Sequence, residues 1–382
     1  MKNYFWHRLF IFVLRYTGGP FVKLRMRYRC SKRKGPSRPT LVIANHNTDL
    51  DPALVALGFS RHMYFVASEH ALRGGFMSKL LKFIFDPVPI NKVKTDLSAV
   101  KDIIRRLKAG ASVCLFAEGD RSFNGVTGPI SMSTAKLVRT SGADLVTFRI
   151  EGGYFTTPRW ASSRRKGRMS GGVVREYTAG ELSGMSNVEI LDAIARDIHE
   201  DAYARQQEMP VRYRCGALAE NIETALYLCP GCKKIGTIKS EGDRLYCGCG
   251  LDAVYTDTGS LVGGQLPFST VTQWDIWQTE QLGEVVRECG NAPICADENQ
   301  RLYEIDTAVG KTFAGEGEMR IDRDSFHCAG FSFDIGEIAQ FAVTGQMTLH
   351  FGLKNGATYE VQTAAPRSAL KYREIFRYLS SR

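Results

Sequence analysis

The sequence predicts an α/β fold built on a mixed sheet, led by amphipathic helices and followed by a cysteine-clustered segment and a β-rich region. Three observations carry this. Short apolar runs alternate with helical periodicity from residue 40 to 205. Four cysteines are clustered between 229 and 249. From about residue 255, apolar and polar residues alternate until a helical stretch closes the chain between Pro366 and Leu379.

The first segment, 1–38, is aromatic and basic. Tyr4, Phe5, Trp6, Leu9, Phe10, Phe12, Val13 and Tyr16 precede Gly18-Gly19-Pro20, and Phe21, Val22, Leu24 and Met26 follow it. The Gly-Gly-Pro break predicts two short helices. Arg8, Arg15, Lys23, Arg25, Arg27 and Arg29 interleave with the apolar positions. That is the make-up of helices that lie in a bilayer interface, or of a pair packed on their own domain.

The second segment, 39–206, carries strand-like runs at 40–44, 62–67, 87–91, 112–116, 144–150 and 172–178. Helix-like runs fall at 49–57, 71–85, 97–109, 132–141 and 186–206. A basic loop at 159–168, with Trp160 among four arginines and a lysine, reads either as a solvated surface loop or as a membrane-facing lid.

The third segment, 207–255, holds Cys229-Pro230-Gly231-Cys232 and, after fourteen intervening residues, Cys247-Gly248-Cys249. Two thiol pairs on Gly-containing turns joined by a hairpin fit a closed, structural zinc site, a zinc ribbon. The last segment, 256–382, has several antiparallel strands and one C-terminal helix. This is the outline of a pleckstrin-homology-like barrel, an analogy of fold with no motif behind it.

The chain has 382 residues and net charge +10. Residues 1–210 carry 33 Lys/Arg against 18 Asp/Glu, whereas 211–382 carry 17 against 22. No acidic residue precedes Asp49. The asymmetry suits anionic lipid headgroups, a phosphorylated acceptor, or an acidic carrier. Arg8 and Arg15 interrupt the first apolar stretch, and no run of about 20 apolar residues occurs, so neither a signal peptide nor a spanning helix is expected. Ten cysteines, four of them at metal spacing, point to a reducing, cytoplasmic setting; with the basic aromatic N-terminal segment the expectation is the cytoplasmic face of a membrane, peripheral or monotopic.

Chemistry is concentrated after two strands. Leu41-Val42-Ile43-Ala44 delivers Asn45-His46-Asn47-Thr48-Asp49-Leu50-Asp51, in which Thr48 or Asp49 can cap a helix and Asp51 falls in its first turn. An imidazole five residues from a carboxylate can be folded into a general base. Ser112-Val113-Cys114-Leu115-Phe116 similarly delivers Ala117-Glu118-Gly119-Asp120-Arg121-Ser122. Open α/β sheets place their sites at such strand ends.

Together these segments resemble the glycerolipid acyltransferase family, which includes lysophosphatidic acid acyltransferases. Its first motif, N-H-x-[ST]-x-x-D, is matched by Asn45, His46, Thr48 and Asp51. Its third, F-P-E-G-[TDS]-R-S, is matched by Phe116, Glu118, Gly119, Asp120, Arg121 and Ser122, with Ala117 in place of proline. The resemblance covers roughly residues 1 to 205. Two departures stand out. The second motif should fall at 87–92 and has no arginine there, and the fourth has Thr147 in place of proline.

The resemblance implies transfer of an acyl group from a thioester, acyl-coenzyme A or acyl carrier protein, to a lysophospholipid such as 1-acyl-glycerol-3-phosphate. His46 is implied as general base and Asp51 as its orienting carboxylate. Glu118, Gly119 and Arg121 are implied at the acceptor-phosphate end, with Arg121 the direct ligand. Lys92, or Lys94, stands in for the missing arginine as a second cation, although it lacks a bidentate fork. Backbone N–H groups near Asn47 and Thr48 are expected to hold the oxyanion. Two other readings stay open at this point. One is a non-catalytic lipid-binding adaptor. The other is a nucleic-acid-binding zinc protein, which is not expected, because the basic residues gather with the N-terminal aromatics and not around the cysteines.

Overall fold

The computed structural model describes residues 4–31, 38–68, 82–90, 97–264, 266–306, 310–363 and 365–381. The chain divides into two compact units, Met1–Pro158 with Arg164–Arg214, and Arg159–Ser163 with Cys215–Arg382. From Cys215 on, the cysteine segment and the β-rich region, read separately in the sequence, fall within one unit, whereas 207–214 belong to the first.

The first unit is a seven-stranded mixed sheet. Its strands are β1 (Tyr28–Cys30), β2 (Thr40–Ala44), β3 (Met63–Ser68), β4 (Val88–Ile90), β5 (Ser112–Phe116), β6 (Asp144–Glu151) and β7 (Met169–Tyr177). The order is β1-β7-β6-β2-β5-β3-β4, and only the β6–β7 pair is antiparallel. β2 is buried on both faces. Because side chains alternate along a strand, Leu41 and Ile43 enter one core while Val42 and Ala44 enter the other. The first core is covered by the amphipathic helices α3 (Leu97–Lys108), α4 (Met132–Ser141) and, further on, α7 (Asn187–Ile198). The second is closed by α1 (Tyr4–Met26) and α2 (Asp51–Gly58), through Met26, Leu54 and Val55.

Two short helices, α5 (Gly153–Thr156) and α6 (Ala179–Gly184), lie between β6 and α7. The single helical run expected at 186–206 is broken. α7 ends at Ile198, and α8 (Ala202–Glu208) restarts under an Asp201 cap that accepts from the N–H groups of Tyr203 and Ala204. Conversely, the two N-terminal helices expected either side of Gly18-Gly19-Pro20 form one helix with Pro20 inside it. Packing overrides the local break. A Cβ on Gly19 would lie 2.8 Å from Leu57 of α2, and Arg15 donates to the carbonyls of Ser60 and Ala56. Of the run 71–85 only 82–85 is described, and it is helical.

The second unit contains a four-stranded antiparallel sheet, β8 (Ile238–Glu241), β9 (Arg244–Cys247), β10 (Asp252–Tyr255) and β11 (Leu261–Val262). Helix α9 (Val271–Glu288), unforeseen in the sequence, follows under a Thr270 cap. Then come β12 (Cys295–Asp306), β13 (Gly310–Ile321), β14 (Ser325–Cys328), β15 (Phe331–Asp334), β16 (Ile338–Thr344), β17 (Thr348–Leu353) and β18 (Thr358–Thr363), ordered β15-β14-β13-β12-β18-β17-β16. α10 (Ala369–Ser380) closes the unit. Its Phe376 and Tyr372 join Phe326, Phe341 and Phe351 in a ring cluster with centroid separations between 4.8 and 6.1 Å.

The basic loop is neither solvated nor a lid at its start. Arg159 and Trp160 are buried within the second unit. Arg159 donates to the carbonyls of Gly345 and Val343, and the Trp160 ring meets Tyr255 edge-on at 5.3 Å.

Candidate active site

β2 and β5 are adjacent and parallel, so their carboxyl ends open side by side. His46 follows the first and Glu118 the second. The His46 ring stacks on Phe116 at 4.4 Å, and its Nδ1 lies 2.9 Å from Asp51 Oδ2. The ring's Nε2 has no hydrogen bond to any described residue, and the side chain is 22% exposed.

Asp51 is fully buried, and a buried carboxylate must find donors. Its Oδ2 accepts from the backbone N–H of Asn47 at 2.6 Å and of Thr48 at 2.8 Å; Oδ1 accepts from the Thr48 hydroxyl at 2.7 Å. The amides expected to hold the oxyanion are therefore committed to Asp51, because a desolvated charge outcompetes an unformed one. Neither Thr48 nor Asp49 caps α2. Its N-cap is Leu50, and the Thr48 hydroxyl accepts from the Leu50 N–H at 3.2 Å.

Glu118 is engaged by the backbone. Its two oxygens accept from the backbone N–H of His46 at 2.6 Å and of Gly128 at 2.7 Å, tying the His46 loop to the chain beyond β5. Burial pushes this carboxyl up to about 8, against the pull of those two amides. Gly119 turns the loop with φ +69°, a left-handed conformation that disfavours a side chain. Arg121 is spread across three acceptors. It donates to Asn47 O at 3.0 Å, Asp49 Oδ2 at 2.9 Å and Thr157 O at 2.6 Å. Its side chain is 11% exposed. It staples the His46 loop to the chain after β6. Lys92 and Lys94 lie outside the described residues.

Both motif departures have a physical sense here. The Ala117 N–H donates to Ala44 O at 3.4 Å, a bond that proline lacks. Thr147 is buried at an irregularity in the β6–β7 pairing. Its hydroxyl donates to Asp197 Oδ2 at 3.0 Å and accepts from the Arg175 N–H at 3.1 Å.

One group at the site was missed in the sequence. Glu200, fully buried in the break between α7 and α8, accepts from Asn47 Nδ2 at 2.6 Å, from the Gly152 N–H at 2.8 Å and from Arg205 Nε at 3.2 Å. Burial raises its pKa against these donors. Asn45 clamps the same corner: its side chain donates to Ile150 O and accepts from the Ile150 N–H. A Cβ on Gly153 would lie 2.6 Å from that of Asn47. The signal available in the sequence was His199-Glu200-Asp201, in which Asp201 is a helix-capping residue type inside an otherwise continuous helical pattern.

With this geometry in place, comparison with known proteins is informative. Residues 25–151 match the family described as Acyltransferase. The match supports the resemblance of these residues to glycerolipid acyltransferases. A "Probable 1-acyl-sn-glycerol-3-phosphate acyltransferase" of Mycoplasma genitalium is 28% identical over 126 residues, 31% of this chain and 46% of that protein. The chain thus spans about half the length of the curated relative it matches. The crystal structure of the 1-acyl-sn-glycerophosphate (LPA) acyltransferase PlsC from Thermotoga maritima overlaps 49% of this chain and 91% of its own, with TM-score 0.38 and 17% identity.

In the second unit, Cys229, Cys232, Cys247 and Cys249 place their sulfurs within 4.8 Å of one another. Cys229 and Cys249 are 3.6 Å apart, Cys232 and Cys247 3.8 Å. Four thiolates at about 2.3 Å from a tetrahedral zinc sit about 3.8 Å apart, so the donor set fits that ion. The hairpin of β8 and β9 carries the chain from the first pair to Cys247. α9 steadies the approach to Cys229: Gln278 accepts from the Tyr227 N–H and Trp274 donates to Leu228 O.

Proposed function

We propose that the chain is an O-acyltransferase that moves a fatty acyl group from a thioester, acyl-coenzyme A or acyl carrier protein, to a lysophospholipid of the 1-acyl-glycerol-3-phosphate kind. The observation that carries this is the His46–Asp51 pair, with Asp51 held by three further donors and His46 Nε2 unengaged beside the Arg121 loop. The assembled pair also weighs against a merely lipid-binding adaptor.

In this reading His46 Nε2 takes the acceptor hydroxyl's proton as that oxygen attacks the thioester carbonyl. The C–S bond then breaks, and the leaving thiolate takes the proton from the imidazolium. Asp51 fixes the Nδ1–H tautomer and stabilises the transient cation; such a positioned base contributes about 100- to 10,000-fold. Arg121 supplies positive charge for the acceptor phosphate while bracing the loop that bears His46.

The remaining parts of the reading are also proposals. α1 lies on the cytoplasmic surface of a membrane, with Trp6, Phe12, Tyr16, Phe21 and Leu24 exposed and anionic lipids attracted to the basic unit. No helix among the described residues is long and apolar enough to cross a membrane. The four cysteines hold a structural zinc, which supplies no chemistry to transfer. The sheet β12 to β18 with α10 is a pleckstrin-homology-like module.

The test is incubation of the purified chain with labelled acyl-coenzyme A or acyl carrier protein and a panel of lysolipids. Product on lysophosphatidic acid, abolished by His46→Ala with the fold unchanged, is the expected result. Turnover retained in His46→Ala removes the histidine from the mechanism.

A further inference from the structure

At the opposite end of the sheet from His46, before β2 and β3 begin, lies a cavity of about 580 Å³. Arg8, Arg15, Arg38, Arg61 and His62 line it, and no acidic residue is among its described lining residues. Arg38 and Arg61 are exposed at its edge. Arg15 is held in place by the carbonyls of Ser60 and Ala56, and no carboxylate is among the described lining residues. His62 lies among these groups: burial first, and then the charges of the neighbouring arginines, push its pKa down to about 4. Four guanidiniums converge on one concavity, and their planar donor forks match an anion with several acceptor oxygens.

We propose that this cavity is a second anion site, one that takes a phosphate group and is distinct from the acyl-transfer centre. The seven steps of chain from Pro39 to His46, most of them in β2, separate the two by roughly 20 Å. A membrane phospholipid is the favoured source of the phosphate. The other wall of the cavity is α1, contributing Leu9 and Phe12, and the exposed aromatics of that helix continue outward from it. A headgroup held here is positioned to place its acyl chains along that apolar face. The site goes beyond the acyl-transfer reading and does not require it.

The test uses the full chain and vesicles of phosphatidylcholine with and without phosphatidylglycerol. Arg38→Ala/Arg61→Ala removes two edge charges. Binding to the anionic vesicles should fall about fivefold per charge, so roughly twenty-five-fold for the pair. Lys136→Ala/Arg139→Ala on the exposed face of α4 removes the same charge elsewhere and should change binding little. Equal losses of vesicle binding in the two double variants, or no loss in the first together with no difference from the wild type in binding free phosphate, overturn the site. A parallel titration with inorganic phosphate and glycerol 3-phosphate distinguishes the source. If these bind the wild type but not Arg38→Ala/Arg61→Ala, while vesicle binding is unchanged, the anion site stands and the lipid source is refuted. His46→Ala should bind vesicles as the wild type does, and Arg38→Ala/Arg61→Ala should turn over detergent-dispersed acceptor normally. Failure of the transfer reading and failure of this one are therefore separable.

Discussion

Asp51→Asn isolates charge from architecture at the candidate site. Asparagine has nearly the same shape. With its oxygen in the Oδ2 position, it still accepts from His46 Nδ1 and from the N–H groups of Asn47 and Thr48. Its amide nitrogen then meets the Thr48 hydroxyl, which can accept instead of donate. What is lost is the negative charge that stabilises the imidazolium. Hydrogen bonds to charged groups are worth about 1.5–3 kcal/mol, so the ground structure should weaken by that order. A catalytic His deprived of its carboxylate loses on the order of 100- to 10,000-fold in turnover. Asp51→Ala is the contrasting perturbation. It orphans two buried backbone donors at about 1–3 kcal/mol each, and so should cost stability as well as rate. Thiol release from acyl-coenzyme A measures turnover, and urea unfolding measures stability. The reasoning is refuted if Asp51→Asn keeps turnover within about threefold of the wild type, or if it unfolds as readily as Asp51→Ala. The double variant His46→Ala/Asp51→Asn should be no slower than His46→Ala alone, because the two residues act as one unit.

Other outcomes follow from the same geometry. Glu200→Gln keeps an acceptor but loses the charge facing Arg205, so kcat should drop through a displaced Asn47 while KM for the thioester changes little; Arg205→Ala should mimic it. Gly153→Ala forces a methyl group against Asn47 and should lower turnover without lowering lipid binding, measured by vesicle sedimentation. Glu118, with its carboxyl pushed up to about 8 from the ordinary 4.5, retains a proton in the folded chain that the unfolded chain has released. Its contribution to stability therefore falls as pH rises between about 5 and 8, by up to about 1.4 kcal/mol per pH unit. Glu118→Gln should flatten that part of the stability–pH curve, and an unchanged slope would show that another group is responsible. Removing zinc with a strong chelator should destabilise the second unit and release about one equivalent of metal, and Cys232→Ser should lower the bound metal in elemental analysis.

The elements legible in the sequence were those whose pattern is local. β2, β5 and α4 lie at the expected residues, because apolar runs bounded by turns and a capped helix carry their own signals. The two motif segments fell at adjacent strand ends as their placement suggested. α9 was not legible: its buried face is only Val271, Trp274, Gln278, Leu282, Val285 and Val286, with an amide where an apolar side chain would have marked the period. Glu200 was hidden because a helix break is set by what the side chains beyond it must reach.

The sequence by itself determined the chemistry on offer: a histidine and a carboxylate five residues apart after a buried strand, a glycine-turned arginine loop after another, and four thiols at metal spacing. Those are consequences of strand and turn periodicity, which act over a few residues. Only the tertiary structure decided the duties of the polar groups. It gave the Asn47 and Thr48 amides to Asp51, turned Glu118 and Arg121 into braces, brought Glu200 across 153 residues to Asn47, and buried Trp160. The physical reason is desolvation. Once a charge is buried its donors are chosen by proximity in space, and which groups become neighbours depends on how the sheet and its covering helices pack.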